Sequence, residues 1–381
     1  MAKRASIVIP FNYDESWTGG NYYILNLVAS FNSLPADIRP DVWILSHQKS
    51  SFDFVAEGAK YPRVKWISSL LMKPVDGGLF RKLRFLTRMV PSLLKPKLNY
   101  DVVFPFPVDS EDRQRSVCWI PDFQERALPE FFTQEELAYR QSQHQFYIDH
   151  FDHIVFSSHA AKSDFEKYYP AATNKTHVVQ FAVAKVGEAT DYKQVLAKYA
   201  LEEPFFYCPN QFWLHKNHKT VIEAVALLKQ RNIKANVAFS GKELDRRAPE
   251  HTQTLKALTR DLGLSDRIKF LGFIPKQDQV TLLRAARAIV QPSLFEGWST
   301  VVEDAKAVSQ FIVASDLPVH REQLSQNYRL FDPHSSEELA SALESLLVDR
   351  PTTVHIDYDL NRQHFARSFL DVVDSVRSGK A

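Results

Sequence analysis

Glu296 and Glu303 stand seven positions apart in the stretch Leu-Phe-Glu-Gly-Trp-Ser-Thr-Val-Val-Glu-Asp-Ala-Lys-Ala at residues 294–307, and their setting suggests chemistry as well as packing. The preceding run, Ala288-Ile289-Val290-Gln291-Pro292, reads as a short buried strand stopped by proline, which has no N–H for the next ladder bond. Thr300-Val301-Val302-Glu303 fits a capping box, in which the Thr hydroxyl accepts from the amide three residues on and the Glu side chain reaches back to the cap N–H. A strand, a turn containing Gly297 and a helix start, in that order, aim backbone N–H groups and the positive end of a helix dipole at one spot. A phosphate or pyrophosphate suits that spot. Carboxylates do not bind phosphate but accept hydrogen bonds from sugar hydroxyls, so the pattern favours a phosphate flanked by two sugars. Taken singly, Glu303 is a capping residue and Gly297 a turn; the context gives them more.

Two other places repeat the strand–turn–helix order. A first strand over residues 6–11 leads through Asn12-Tyr13-Asp14-Glu15-Ser16-Trp17-Thr18-Gly19-Gly20 into a helical pattern over 21–31. This is not G-x-G-x-x-G, so no dinucleotide fingerprint is supported, and a plain helix-start turn is the competing reading. The second half opens with a strand over 205–209, then Asn210-Gln211-Phe212-Trp213-Leu214-His215-Lys216-Asn217-His218, then a helix. In the first half Trp119-Ile120-Pro121-Asp122-Phe123-Gln124-Glu125 follows a strand and projects from its carboxyl end, where ligands bind in open α/β sheets. Asp122 there either contacts an acceptor hydroxyl or orients the loop.

The 294–307 stretch resembles the signature of the family 4 glycosyltransferases of the GT-B type, E-G-[FW]-[GS]-x-x-x-x-E-A. The resemblance implies that Glu296 contacts the donor sugar and Glu303 the nucleotide ribose. It gives the distal phosphate to the amides across Gly297, Trp298, Ser299, Thr300 and Val301. Six residues separate the two glutamates where seven are common, which puts more weight on Glu303 than on Glu296. Residues 210–217 are similar to the family's G-R-x-x-x-x-K-[NG], whose Arg and Lys neutralise the donor diphosphate. Lys216 and Asn217 match, while Asn210 and Gln211 replace Gly and Arg. The lost arginine removes a fixed positive fork and leaves Lys216 with more of the charge. By the same resemblance Gly19 and Gly20 face the donor phosphates, and Gly272, Phe273 and Ile274 lie beside the base. Asp122 stands where His-Asp is usual, with Pro121 in place of the His.

The implied fold is α/β, GT-B: two Rossmann-like, doubly wound parallel-sheet domains facing across a cleft. Residues 1–186 bind acceptor, with a last helix over 357–378 packing back on them, and 187–356 bind nucleotide sugar. The implied activity moves a sugar from a nucleotide-sugar donor to a hydroxyl of a glycan or lipid-linked acceptor, with retention, in cell-surface polysaccharide or glycolipid synthesis. Lys216, Glu296 and Asp122 are the catalytic candidates. No metal and no further cofactor is expected, because Lys216 and the helix start can stabilise a leaving diphosphate. Two rivals stand beside this reading. A nucleotide-sugar 2-epimerase would need no acceptor, and a non-catalytic two-domain sugar-binding protein would bind free sugar without nucleotide.

Composition agrees with a two-domain globular protein: 381 residues, 45% hydrophobic and 24% charged. A net charge of +2 gives no support to nucleic-acid binding. Strands are expected at 41–46, 64–68, 101–105, 116–120, 153–157, 176–181, 236–241, 268–275 and 311–316, with helices between most of them, the mark of a helix-covered parallel sheet. The polar run 185–191 marks the domain boundary. Residues 73–97 carry Lys73, Arg81, Lys82, Arg84, Arg88, Lys95 and Lys97 against the single acid Asp76, with apolar residues at helical spacing. Such a helix either meets anionic membrane or lipid-linked phosphate, or is a solvated surface helix. The two cysteines, Cys118 and Cys208, read as buried thiols of a reducing compartment. The N-terminal apolar run, cut by Pro10, is too short for a signal peptide, so the cytoplasm is expected.

Overall fold

The computed structural model describes residues 4–15, 17–68, 99–105, 114–184, 186–187 and 189–379, and the basic segment 73–97 lies outside them. The chain divides into two compact units. Met1–Phe123, Glu135–Ala184 and Asp359–Ala381 make the first; Gln124–Gln134 and Lys185–Tyr358 make the second.

The first unit holds β1 (Ser6–Pro10), β2 (Asp41–Ser46), β3 (Val64–Ser68), β4 (Val102–Val103), β5 (Val117–Ile120), β6 (His153–Phe156) and β7 (Lys175–Val178). They pair in parallel in the orders β3-β2-β1-β4 and β5-β6-β7, and a parallel bridge between Val103 and Ser116 links the two sheets. Helix Thr18–Ser30 follows β1 and buries Tyr23, Ile24, Leu27 and Val28. Helix Tyr358–Ser378 packs Phe365 edge-on to Tyr23, and Phe369 edge-on to Phe104. Near its end Arg377 pairs with Asp101 at 2.7 Å, and the same Asp101 oxygen accepts from the Ser6 N–H at 2.9 Å. β4 is shorter than expected because Pro105 has no N–H to extend the ladder.

The second unit is one parallel sheet of β8 (Phe205–Cys208), β9 (Asn236–Phe239), β10 (Ile268–Phe270), β11 (Ile289–Gln291), β12 (Ile312–Ser315) and β13 (Tyr328–Phe331). Its order is β10-β9-β8-β11-β12-β13, so the chain reverses direction across the sheet between β8 and β11. In open α/β sheets that reversal opens a crevice at the carboxyl ends of the two strands. β13 is the strand that patterning misses: as an edge strand it is exposed at Tyr328 and Arg329, and only Phe331 is fully buried. β10 stops before residue 275 because Gly272 turns the chain at φ 66°, ahead of Pro275.

Candidate active site

The loops after β8 and β11 meet at this reversal. After β8 the chain makes a short turn, Leu214–Lys216, and enters helix His218–Gln230 through Asn217, which sits at φ 54° in the left-handed region. The Asn217 amide donates to the Pro292 carbonyl at 3.0 Å and the Pro333 carbonyl at 2.8 Å. Leu294 N–H in turn donates to the His215 carbonyl at 2.8 Å. These bonds fasten the β8 loop to the β11 loop and set Lys216 opposite Glu296.

Lys216 Nζ donates to Glu296 Oε1 at 2.6 Å, with the side chains 14% and 8% exposed. The Gln291 amide donates to the same oxygen at 2.7 Å, and Gln291 Oε1 accepts from the buried Asn210 amide at 2.8 Å. Burial alone would raise the Glu296 carboxyl. The charge of Lys216 and its hydrogen bond override it and hold the group below the usual carboxylate range. His215 beside the pair is pushed down to about 3 by burial and then by the Lys216 charge, so it is neutral at physiological pH. Asn210 acts in this chain of amides behind Glu296. Gly241 must lack a side chain to leave room for that loop, since a Cβ there would lie 2.2 Å from the Asn210 carbonyl oxygen. Gln211 is half-buried beside it.

The helix after β11 runs Thr300–Ala307 and is capped by Ser299, whose hydroxyl accepts from Val302 N–H at 3.4 Å. The capping-box reading is therefore corrected: the cap lies one residue earlier than Thr300, and Glu303 does not reach back. Glu303 is 1% exposed. Its Oε1 accepts from Lys306 and from Gln323, each at 2.8 Å, and its Oε2 from the Tyr358 hydroxyl. Gln323 also accepts from Ser299 N–H at 3.2 Å, which occupies one of the amides expected to meet phosphate. The N–H groups of Thr300 and Val301, in the first turn, are the ones helix geometry leaves without an intrahelical acceptor. Trp298 and Val301 are buried at 9%, and Gly297 is half-buried next to Glu296.

Asp304, next to Glu303, restores the seven-residue interval from Glu296 and is followed by Ala305, as the E-A of the pattern requires. Successive helical residues are turned by about 100°, so Asp304 and Glu303 address different neighbours. Asp304, 4% exposed, pairs with Lys276 at 3.0 Å, the first residue of helix Lys276–Ala285. That helix follows directly on Gly272, Phe273 and Ile274. Phe273 is 74% exposed while Ile274 is buried, and Gly272 accepts through its carbonyl from Gly241 N–H at 2.9 Å. Asp304 thus stands toward the loop expected beside a nucleotide base, whereas Glu303 stands toward Tyr358.

Gly19, Gly20 and Asp122 belong to the first unit. A Cβ on Gly19 would meet nothing within 4 Å, but one on Gly20 would lie 2.5 Å from the Trp17 indole. Gly20 is therefore demanded by its own neighbour. Asp122 lies close enough to Asp164 to help burial raise that carboxyl. One Asp-x-Asp string does occur, Asp357-Tyr358-Asp359. Both aspartates are exposed, Asp359 pairs with Arg362, and Tyr358 turns to Glu303.

Residues 191–360 match the family model described as Glycosyl transferases group 1. Over the whole chain the structure is similar to the crystal structure of Anabaena Alr3699/HepE in complex with UDP and glucose. That likeness has TM-score 0.68 and 17% identity, and covers 98% of this chain and 100% of that one. The fold is GT-B. Sucrose-phosphate synthase from Thermosynechococcus elongatus shares it at TM-score 0.64 and 15% identity, over 98% and 95% of the two chains. Among curated proteins, the O-antigen chain mannosyltransferase RfbU of Salmonella typhimurium is 24% identical over 195 residues, 51% of this chain and 50% of that protein. The D-inositol 3-phosphate glycosyltransferase of Corynebacterium glutamicum is 29% identical over 150 residues, 38% and 35% of the two. The chain thus spans half or less of the length of the curated relatives it matches.

Proposed function

We propose that this protein is a retaining, metal-independent glycosyltransferase that takes a nucleotide sugar on the second unit and transfers its sugar to a hydroxyl of a glycan or lipid-linked acceptor. The observation that carries this reading is the Lys216–Glu296 pair, set at 2.6 Å where the sheet order reverses and one turn ahead of a helix start. A lysine and two helix-start amides offer a diphosphate fixed positive charge without a cation, and a carboxylate beside them accepts from sugar hydroxyls. Neighbours solved with UDP support a nucleotide donor. In this reading Asp304, not Glu303, accepts from the ribose hydroxyls, and Gly272–Ile274 border the base. On the first unit, Asp122 is assigned to the acceptor.

The transfer balances within these groups. The bond from the anomeric carbon to the donor phosphate oxygen breaks, and the nucleoside diphosphate leaves against Lys216 and the Thr300 and Val301 amides. The acceptor oxygen bonds to the anomeric carbon, and its proton passes to the departing phosphate. Before that, the donor must part Lys216 from Glu296, the lysine turning to phosphate and the glutamate to the sugar. We assign the protein to the cytoplasm, in line with the buried thiols Cys118 and Cys208, and to cell-surface glycan or glycolipid synthesis. Among the described residues no helix is long and apolar enough to cross a membrane.

A thermal-shift screen across nucleoside diphosphates and nucleotide sugars tests the donor, because binding to the folded state raises the melting temperature. At least one nucleotide is expected to raise it, and free sugars are not. Saturable binding of free sugar with no response to any nucleotide would reject the proposal. Release of an epimerised nucleotide sugar without acceptor would replace transfer by epimerisation.

A further inference from the structure

His320 is a buried base that no step above uses. It lies on helix Pro318–Gln323, which follows β12, and its side chain is fully buried. Nδ1 stands 2.8 Å from the Ser315 carbonyl oxygen. A carbonyl only accepts, so the hydrogen of the neutral ring sits on Nδ1, and Nε2 keeps a bare lone pair. That Nε2 is buried and has no hydrogen-bond partner. Burial, above all, lowers the ring below the ordinary histidine range, so it is neutral at physiological pH.

The ring stands among parts of the site already described. Ser315 ends β12, and its hydroxyl donates to the Gln291 carbonyl at 3.1 Å, at the end of β11. The Gln291 amide in turn donates to Glu296 Oε1 at 2.7 Å. One turn after His320, Gln323 donates to the Ser299 carbonyl at 2.8 Å and ties the same helix to the cap of Thr300–Ala307. The charges of Glu296 and Lys216 both reach the imidazole, the first raising its basicity and the second lowering it. The two nitrogens of an imidazole point to opposite sides. With Nδ1 turned back on the strand end, Nε2 faces away from it, at the carboxyl ends of β11 and β12, where ligands bind in open α/β sheets.

A buried acceptor without a donor is a net cost that a bound O–H group removes. A phosphate oxygen that carries no hydrogen offers nothing to a bare lone pair, so the ring does not suit the diphosphate. A sugar hydroxyl suits it. Lys216 and His320 then divide the donor between them, the cation taking the charged end and the neutral ring the hydroxylated one.

We propose that His320 is a specificity residue for the donor sugar: Nε2 accepts from one sugar hydroxyl while Glu296 accepts from another, once the incoming donor has parted Glu296 from Lys216. The inference rests on the glycosyl-transfer reading above. Calorimetric titration of the full chain with UDP-glucose and GDP-mannose, each against its free diphosphate UDP or GDP, tests it on two variants. His320→Asn keeps an amide N–H near the place of Nδ1 for the Ser315 carbonyl and removes the acceptor. His320→Gln carries its amide near the place of Nε2 and gives up the Ser315 bond. His320→Asn is expected to bind the recognised nucleotide sugar about ten-fold more weakly, the scale of one unmade hydrogen bond to a buried group, with the free diphosphate within about two-fold of the parent. His320→Gln is expected to fall between His320→Asn and the parent. Parent-like affinity for the nucleotide sugar in His320→Asn, equal losses for nucleotide sugar and diphosphate, or the reverse order of the two variants would each reduce His320 to a support for Ser315 and overturn the proposal. NMR of the parent labelled with 15N-histidine gives a second reading that does not depend on His320→Asn folding. The Nε2 resonance missing from the His320→Gln spectrum should move on adding the nucleotide sugar and not on adding the diphosphate; a resonance that stays in place overturns the assignment. Failure of the parent to bind any of the four nucleotides would count against glycosyl transfer itself, whereas binding that ignores His320 sinks only this residue's part.

Discussion

Glu296 and Glu303 each accept a hydrogen bond from a lysine, at 2.6 Å and 2.8 Å, yet the two pairs are closed in different ways. Around Glu303 every neighbour is a fixture: Lys306 on the same helix, Gln323 from the helix after β12, and Tyr358 where the chain leaves the second unit. Around Glu296 only one side is fixed, by Gln291 and through it Asn210. Its other partner, Lys216, sits on a short turn where the sheet order reverses. A buried carboxylate with three donors from separate elements is a rivet. One held by amides behind and a lysine in front is a pair that an anion can open. Under the function proposed above, this contrast assigns the nucleotide to Asp304 and the donor sugar to Glu296, and leaves Glu303 a structural part.

The largest effect expected is from Lys216→Ala. Losing the cation assigned to the leaving diphosphate should lower turnover by about 100- to 1,000-fold, the scale of one lost charge-stabilising donor. Circular dichroism should show the fold intact, although Glu296 is left without its cation. Activity within a few fold of the parent in a sugar-transfer assay would break the comparison at its functional end.

Next come the two neighbouring acids. Asp304→Asn should weaken nucleotide binding about ten-fold, roughly the 1.4 kcal/mol of one good hydrogen bond to a charged group, with little change in stability. Glu303→Gln should do the reverse, lowering unfolding free energy by about 2–3 kcal/mol while nucleotide affinity stays close to the parent. Calorimetric titration with the nucleotide that the thermal-shift screen identifies, and chemical denaturation of both variants, decide this. Equal losses of affinity would mean the two carboxylates serve one site.

This offset shows what was readable from sequence and what was not. Strands with continuous apolar runs, such as Phe205–Cys208 and Ile289–Gln291, and the strings around Lys216 and Glu296 are local patterns, so the frame of the site was legible. The cap at Ser299, expected at Thr300, was not legible because a one-residue shift on a helix changes the face while leaving the string almost unaltered. Glu303's partners Gln323 and Tyr358 lie 20 and 55 positions downstream, beyond any local pattern. β13 hid because an edge strand needs no continuous apolar run. Gly20 reads as an approach to phosphate, and the Trp17 ring that occupies the place of its Cβ is visible only in the packing.

Acid should act on the Glu296 side more than on the Glu303 side. His215 is pushed down to about 3 by burial and the Lys216 charge, so in the folded state it stays neutral well below the usual histidine range. Between about pH 6.5 and 3 the unfolded chain therefore binds a proton there that the folded chain does not, and stability rises with pH across that window. His215→Gln should flatten the slope by about one proton, and leave stability at pH 7.5 within about 1 kcal/mol. Acid titration of unfolding free energy measures it, and an unchanged slope would mean that His215 is protonated in the fold.

The smallest effect concerns the helix start that both pairs share. If Ser299 is the cap, Ser299→Ala should cost about 0.5–1 kcal/mol, since the Val302 N–H loses its acceptor, the bond being long at 3.4 Å. Thr300→Ala, at an exposed position whose hydroxyl caps nothing, should stay within about 0.5 kcal/mol of the parent. Denaturant midpoints at constant slope compare the two directly. A larger loss at Thr300 would restore the capping box, bring Glu303 back to the cap, and erase the distinction between the two glutamates. The tie from Ser299 to Gln323 and on to Glu303 runs through the Ser299 backbone and survives the substitution, so Ser299→Ala removes only the Val302 cap beside Thr300 and Val301, the amides assigned to phosphate. A parallel small loss of nucleotide affinity in Ser299→Ala alone would show that the cap orders those two amides, with the fixture around Glu303 left intact.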